Sequence, residues 1–352
     1  MYDMKSSNPK KILVTGASGH LGANLVRRLL EDENQIRVLA HPQHDNTGIE
    51  GLDIEIGYAD IRDLDSTKKV ISGCDYVYHC AAKVSTIDGN ISHKREIFDT
   101  NVIGTRNVLT ASKETGIKRI VVTSSFSAVG IDLDNPANPS DESMIFYPYH
   151  RTMPYEHSKM LMEHECLKAV ADGLDVVMAT CCAIIGGNDF LPSRLGRTLC
   201  DYVNGNLLYY INGGFEFVTA DDIVQGHLLC MSHGCAGQKY IFSTTYLEVS
   251  DLLNIFAEIS GIPNTVKRLP GAAMYYFSEI ASFYLSRFKP DFPQRFTPGA
   301  IRLLRKRRHA NIRRAREELN YQPGNIRDAV ADAYNFHYSR GSIKNPEART
   351  PE

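Results

Sequence analysis

Tryptophan is absent from the 352 residues, which by itself excludes no activity. Other absences decide more. None of the eight cysteines stands in a CxxC pair or at a zinc-ligand spacing, so no metal site is expected. Cys181 and Cys182 are adjacent, poor geometry for an ordinary disulfide, and all eight read as reduced thiols that mostly fill core. Charge of one sign is missing too. Lys and Arg number 39 against 41 Asp and Glu, giving a net charge of −2, with no global nucleic-acid signature. No apolar run is long enough to span a bilayer. Residues 1–10 are polar and lack the apolar region of a signal peptide, so a cytoplasmic enzyme is the expectation. Internal repeats are lacking as well. The length suffices for a large core, divided into two lobes.

The most informative segment present is Thr15-Gly16-Ala17-Ser18-Gly19-His20-Leu21-Gly22. It follows an apolar run at 11–14 and precedes a helical pattern at 21–30. In such a strand–turn–helix unit the turn's N–H groups and the helix N-terminus favour a pyrophosphate. Gly16 permits the tight turn, Gly19 lets a phosphate approach the backbone, and Gly22 lets helix and strand pack closely. The spacing is TGxxGxxG rather than the commoner GxGxxG.

A second motif turns binding into chemistry. Tyr155 and Lys159 stand at i and i+4, on one face of a helix. An ammonium beside a phenol favours phenolate and lowers the tyrosine pKa, which suits proton transfer to or from a hydroxyl. Upstream, a strand at 119–123 ends in Ser124-Ser125, and a hydroxyl at a strand's C-terminal end lies where doubly wound sheets bind ligands.

Strand and helix patterns alternate through the first half. Strands are predicted at 11–14, 36–40, 53–56, 76–79, 119–123 and 175–180, and helices at 21–31, 63–72, 95–115 and 155–172. This is an α/β chain with a doubly wound parallel sheet. Residues 131–153, including Tyr147-Pro148-Tyr149-His150, read as a long loop over the site's mouth. The cofactor domain is placed at 1–180, with 214–245 returning to it. The substrate lobe takes 181–213 and 246–340, with a helix at 251–260 capped by Ser250, and 341–352 is expected to be a flexible tail.

With the glycine turn, Ser125, Tyr155 and Lys159 in this order, the chain resembles the extended branch of the short-chain dehydrogenase/reductase superfamily over roughly residues 10–340. The segments Ala59-Asp60-Ile61-Arg62-Asp63, Val77-Tyr78-His79-Cys80-Ala81-Ala82, Asn101-Val102-Ile103-Gly104-Thr105 and Val121-Val122-Thr123-Ser124-Ser125 carry the likeness further. It is closest to the subgroup of dihydroflavonol-4-reductases, 3β-hydroxysteroid dehydrogenases and hopanoid-associated sugar-epimerase-like proteins. The resemblance implies a Rossmann domain with a smaller C-terminal α/β lobe. It implies Tyr155 as general acid/base, Lys159 lowering the tyrosine pKa and holding the nicotinamide ribose, and Ser125 orienting the substrate oxygen. Ser124 is read as a strand-end hydrogen bond, Asn101 as a brace, and His79 as a core histidine.

The same resemblance implies cofactor contacts from Thr15, Gly16, Ser18, Gly19, His20, Leu21 and Gly22. It adds Asp60 at the adenine amino group, Ile61 against the ring, the backbone of Ala81, Ala82 and Lys83, and further contacts from Thr123, Cys182 and Ile184. The second strand ends in Ala40 and His41, without the acidic residue of NAD users or the arginine usual in NADP users. His41, with His44, is expected to serve a 2′-phosphate, so NADP(H) is favoured and NAD(H) stays open.

After the sixth strand, Cys181-Cys182-Ala183-Ile184-Ile185 replaces the Asn-Pro or Arg-Pro of many relatives, and Ser125-Phe126-Ser127 lacks the Asp-Glu of dehydratases. Phe126, Met153 and Phe190 are candidates for an apolar pocket, with core packing as the other reading. The leading reading is an oxidoreductase acting on a ketone, aldehyde or secondary alcohol of a small apolar molecule. A nucleotide-sugar epimerase or dehydratase and a non-catalytic dinucleotide sensor are the alternatives. Residues 274–288 read as a helix on the substrate lobe, with membrane contact as the alternative. The basic stretch from Arg302 to Arg316 reads as a solvated face or as a dock for an acidic partner or anionic head group. A homodimer is expected by analogy.

Overall fold

The computed structural model describes residues 9–32, 34–135, 137–146, 152–288 and 297–351. Strand β1 (Lys11–Thr15) carries Ile12, Leu13 and Val14, all without solvent exposure, as a strand covered on both faces requires. The glycine turn leads into α1 (His20–Leu30), and the chain continues through β2 (Gln35–Ala40), β3 (Glu55–Tyr58), α2 (Leu64–Ile71), β4 (Tyr76–His79), α3 (Ile91–Phe98), α4 (Gly104–Glu114), β5 (Arg119–Ser125), α5 (Pro154–Ala171) and β6 (Val176–Cys181). Then come β7 (Ala183–Ile185), α6 (Arg194–Val203), β8 (Tyr209–Ile211), β9 (Gly214–Thr219), α7 (Ala220–His233) and β10 (Lys239–Phe242). Seven strands form one parallel sheet in the order β3-β2-β1-β4-β5-β6-β10, with Val14 opposite both Val38 and Tyr78. The order reverses between β1 and β4, which opens a ligand crevice at the carboxyl ends of these strands. Side chains alternate across the sheet. Ile12, Val14, Leu25 and Val38 share one core, and Leu13, Val77, Val122 and Met162 share the other.

The smaller lobe adds β11 (Thr245–Glu248), α8 (Val249–Ser260), β12 (Lys267–Leu269), α9 (Gly271–Phe288), α10 (Pro298–Lys306), α11 (Arg313–Leu319) and α12 (Ile326–Ser339). Its core gathers Leu199, Phe217, Leu253, Phe256 and Val330, beneath a small sheet ordered β11-β9-β7.

Several expectations need correction. The helix predicted at 95–115 is two helices joined by a wide π turn over Asp99–Ile103. The return to the large sheet begins at α7 and not at 214, because β9 pairs with β7 and β11. Its Glu216 carboxylate accepts from the Ser243 hydroxyl, just after β10, and from the Ala310 N–H. Ser250 caps no helix, since α8 starts one residue earlier with the Val249 N–H donated to the Gly213 carbonyl. The tail after Gly341 is docked rather than loose. Ile343 and Ala348 are buried, the Lys344 N–H reaches the Asn204 side chain at 2.7 Å, and the Arg349 N–H reaches the Ser260 carbonyl at 2.8 Å. The segment Tyr147-Pro148-Tyr149-His150 lies outside the described residues.

Candidate active site

The glycine turn closes tightly on the chain's own backbone. Gly16 has φ +68°, and a Cβ there would stand 2.6 Å from the Ala81 nitrogen. At Gly22 it would stand 2.2 Å from the Gly16 oxygen. Gly19 is different, for the nearest atom to its Cβ would be 3.4 Å away. Ser18 sits beside it, its backbone against Gly48. Helix α1 begins with no side-chain cap, whereas Asp63, Ser193 and Thr219 cap α2, α6 and α7. Its first N–H groups therefore remain open to an anion, and the turn fits a pyrophosphate.

Two residues of the turn point elsewhere. Leu21 is buried in the core, so only its backbone can reach a phosphate. The His20 imidazole turns inward, its Nε2 3.0 Å from the Gly187 carbonyl and its Nδ1 4.0 Å from Asp189. This corrects the expected phosphate contact by the ring. A buried cluster of Asp189 and His337 draws it in.

Thr15 links the turn to β4. Its hydroxyl accepts from the Ala81 N–H at 3.2 Å and lies 2.7 Å from His79 Nδ1. His79 Nε2 meets the Thr105 hydroxyl at 2.9 Å, and burial pulls its pKa down to about 3. A fully bonded neutral ring here is a core group. Beyond Ala82, the Lys83 N–H donates to Asn101 Oδ1 at 2.7 Å.

At the adenosine end, His41 follows β2 with its ring stacked on His44 at 3.9 Å and its Nε2 3.5 Å from Asp60. Asp60 is gripped by Arg62, with Nε at 2.9–3.0 Å and Nη2 at 2.6 Å, and this partner holds its carboxyl down to about 2. Arg62 is the residue that sequence reasoning missed. The arginine absent after the second strand arrives from the end of the third. Ile61 is buried against Gly104, and its carbonyl accepts from Asn107.

The residues expected to handle the proton lie at the end of β5 and the start of α5. Strand alternation turns Ser124 away, its hydroxyl donating to the buried Glu163 at 2.5 Å. Ser125 Oγ lies 2.8 Å from Ser127 Oγ, and its hydroxyl is placed to favour the Tyr155 phenolate. Helix α5 starts here because Pro154 suits its first turn and Glu156 takes the Met153 N–H at 2.6 Å. One turn after Tyr155, Lys159 is buried and donates to the Thr123 carbonyl at 2.8 Å. The Thr123 hydroxyl in turn lies 2.8 Å from His227, whose Nδ1 meets the Ile223 carbonyl, and burial pulls that ring down to about 4. Burial lifts Tyr155 to about 12, eased only by Ser125, and pulls Lys159 down to about 8. The expected lowering of the tyrosine pKa by the lysine is thus corrected for the free chain. Both groups are desolvated, and the ammonium is directed to Thr123.

Asn101 joins three segments. Its side chain exchanges hydrogen bonds with the Lys83 main chain and donates to Ser158 Oγ at 2.9 Å. On the other side, Cys182 is buried and Ile184 stands opposite Val218 in β9. Arg308 is not part of a solvated face. Buried, it donates to the Val129 and Gly130 carbonyls at 2.9 and 2.8 Å and lies 4.5 Å over the Phe126 ring, so it staples the loop after Ser125. Met153 is buried next to α5. Phe190 is nowhere near these two. It is held between Arg27 and Arg340 and edge-on to Phe336, which removes it from the expected pocket.

Comparison with known proteins decides the family. Residues 12–242 match the model of the NAD dependent epimerase/dehydratase family. The chain belongs to that family. A member from Methylococcus capsulatus, sterol demethylase protein B, is 37% identical over 331 residues, covering 94% of this chain and 99% of its own. The 3beta-hydroxysteroid-dehydrogenase/decarboxylase isoform 1 of Arabidopsis thaliana is 27% identical over 347 residues, with 88% and 75% covered. The crystal structure of gox2253 superposes with a TM-score of 0.82 at 27% identity, over 95% of this chain and all of that one. The chain is an oxidoreductase of the extended short-chain dehydrogenase/reductase type, in a family that binds NAD(P). Among the described residues no group of His, Cys, Asp or Glu is arranged to hold a metal ion.

Proposed function

We propose that this enzyme moves a hydride between NADP(H) and the carbinol or carbonyl carbon of an apolar, sterol-like substrate. The observation that carries the reading is the placement of Ser125 at the end of β5, with Tyr155 and Lys159 one helical turn apart on α5 and Lys159 bonded to the Thr123 carbonyl of that strand, at the carboxyl edge of the parallel sheet. When bound, the cofactor supplies or accepts the hydride at its nicotinamide. Tyr155, held to about 12, is a neutral phenol near pH 7 and so donates a proton to the carbonyl oxygen in reduction. Ser125, oriented by Ser127, holds that oxygen as its charge develops. Lys159 is cationic below about pH 8 and would hold the nicotinamide ribose of a bound cofactor.

His41, His44 and Arg62 gather at the end of β2, which suits a 2′-phosphate better than two bare hydroxyls. The sterol-like substrate class rests on the names of the relatives and on the apolar segments at Phe126 and Cys181–Ile185. The test is NADPH consumption over a panel of 3-ketosteroids and smaller apolar ketones, with Tyr155→Phe alongside. Turnover that falls about a thousandfold in the variant supports the reading. Absent consumption, together with epimerisation of a nucleotide sugar at constant NADPH absorbance, overturns it.

A further inference from the structure

Helix α9 turns an apolar stripe to solvent. Taking about 100° per residue, Tyr276, Phe277, Ile280 and Tyr284 fall within an arc of about 100°. That arc faces solvent, with Tyr276 71%, Phe277 65% and Ile280 72% exposed. The opposite face carries Tyr275, Ser278 and Glu279 beside the partly buried Met274 and Ala281, and the helix packs on α10. Ser278 is 1% exposed and donates to the Tyr275 carbonyl, the Tyr275 hydroxyl donates to Glu279 at 2.6 Å, and Arg302 of α10 lies 3.6 Å from Glu279. A surface helix of a protein surrounded by water turns its apolar stripe to the core. Here the stripe points away, and it forms an exposed apolar patch that water alone does not explain.

Charge identifies the occupant. Lys267 and Arg268 stand just before the helix, and Arg305 and Lys306 end α10, all four exposed. Gly271, the first residue of α9, lies against the Arg305 stem, so these cations collect around one end of the stripe. The nearby carboxylates of Glu279 and Asp88 face Arg302. A second copy of the chain would set these cations against their own kind. Anionic head groups would neutralise them, and tyrosines beside Phe and Ile suit the layer between head groups and acyl chains. No helix among the described residues is long and apolar enough to cross a membrane, so α9 would lie on the surface.

We propose that the exposed face of α9, with the cations of β12 and α10, docks the enzyme on an anionic lipid bilayer. The Thr297 hydroxyl that caps α10 donates to the Thr86 carbonyl at 2.8 Å, and Gly299 lies against Met153, two residues from Tyr155. The start of α10, the helix on which α9 packs, therefore lies beside the residue that begins α5. Docking itself does not depend on the redox reading.

The experiment is co-sedimentation of the full chain with vesicles of phosphatidylcholine, alone or mixed with phosphatidylglycerol, at low and high salt. The variants are Phe277→Ser with Ile280→Ser, and Lys267→Glu with Arg268→Glu. Wild type is expected to pellet with the anionic vesicles and less so at high salt. Each double variant should bind about tenfold more weakly with an unchanged melting temperature. Wild type left in the supernatant with both vesicles, or variants that bind as wild type does, would overturn the proposal. A dimer in sedimentation velocity that Phe277→Ser with Ile280→Ser abolishes, without vesicle binding, would assign the face to a second copy. The readout involves no turnover, so failure of the substrate reading and failure of docking are separable.

Discussion

Replacing Lys159 by methionine should make the protein more stable and inactive at once. The lysine is 2% exposed, and burial brings its pKa from 10.5 to about 8. Between those values the unfolded chain binds more protons than the folded one, so stability rises with pH through this window. Below pH 8 the buried ammonium costs the fold about 3 kcal/mol relative to a lysine in water. Methionine fills a similar volume without charge. It also leaves the Thr123 carbonyl without its donor, a loss of about 1 kcal/mol. The net gain at pH 7 is then about 2 kcal/mol, or about 3 °C in melting temperature for a chain of this length. Calorimetry of both proteins from pH 6 to about 10.5 checks it. The gap should be widest below pH 8 and close as the pH approaches 10.5. A variant that melts below wild type at pH 7, or a gap that does not change with pH, would refute the idea that burial of the charge is the larger effect.

Arg62→Ala should weaken NADPH binding about tenfold and leave NADH nearly unchanged, because only the former carries the 2′-phosphate that a guanidinium would grip. Equal losses by fluorescence titration would assign Arg62 to Asp60 alone. His337 is buried 3.7 Å from Asp189, which with Cys200 lifts its pKa to about 9. A folded pKa above the unfolded 6.5 stabilises the protein fully below that value, and the contribution is lost as the pH rises through about 9. Asp189→Asn should therefore melt lower by at most about 3 kcal/mol near pH 6 and by much less above pH 9. A pH-independent difference would show that the Ser193 N–H bonds to Asp189, and not the imidazolium, dominate.

What could be read from the sequence is what one strand, one helix or one turn determines. Gly16 and Gly22 are required by atoms within the turn or just across it, and Tyr155 and Lys159 share a face because helical spacing puts them there. The alternation that separates Ser124 from Ser125 is equally local. The remainder depends on neighbours far along the chain. Arg62 and His41 meet because β2 and β3 end side by side around Asp60. The partner that takes the Lys159 ammonium lies on β5, and the ring of His20 is drawn inward by residues from Gly187 to His337. Arg308 sits in a run of four basic residues, yet it alone of them is buried, because it crosses the loop after β5 and donates to the carbonyls of Val129 and Gly130. Composition carries no trace of these placements.

The wide turn at Asp99–Ile103 shows the same division at one residue. A regular helix through this stretch would turn Asn101 by a substantial fraction of a turn relative to α5. Its side chain would then miss the Lys83 N–H at 2.7 Å, the Lys83 carbonyl at 3.0 Å and the Ser158 hydroxyl at 2.9 Å. Ser158 stands between Tyr155 and Lys159, and Lys83 lies on the segment that borders the cofactor crevice. The irregular turn thus exchanges ideal helical hydrogen bonding for three bonds that fix the catalytic helix to the crevice wall. In a helix chosen for stability alone, with apolar packing on α2 and α5 already available, the regular geometry would prevail. Its departure at a residue that bonds both Lys83 and Ser158 argues that positioning of Tyr155 and Lys159, rather than packing, sets the shape of this segment.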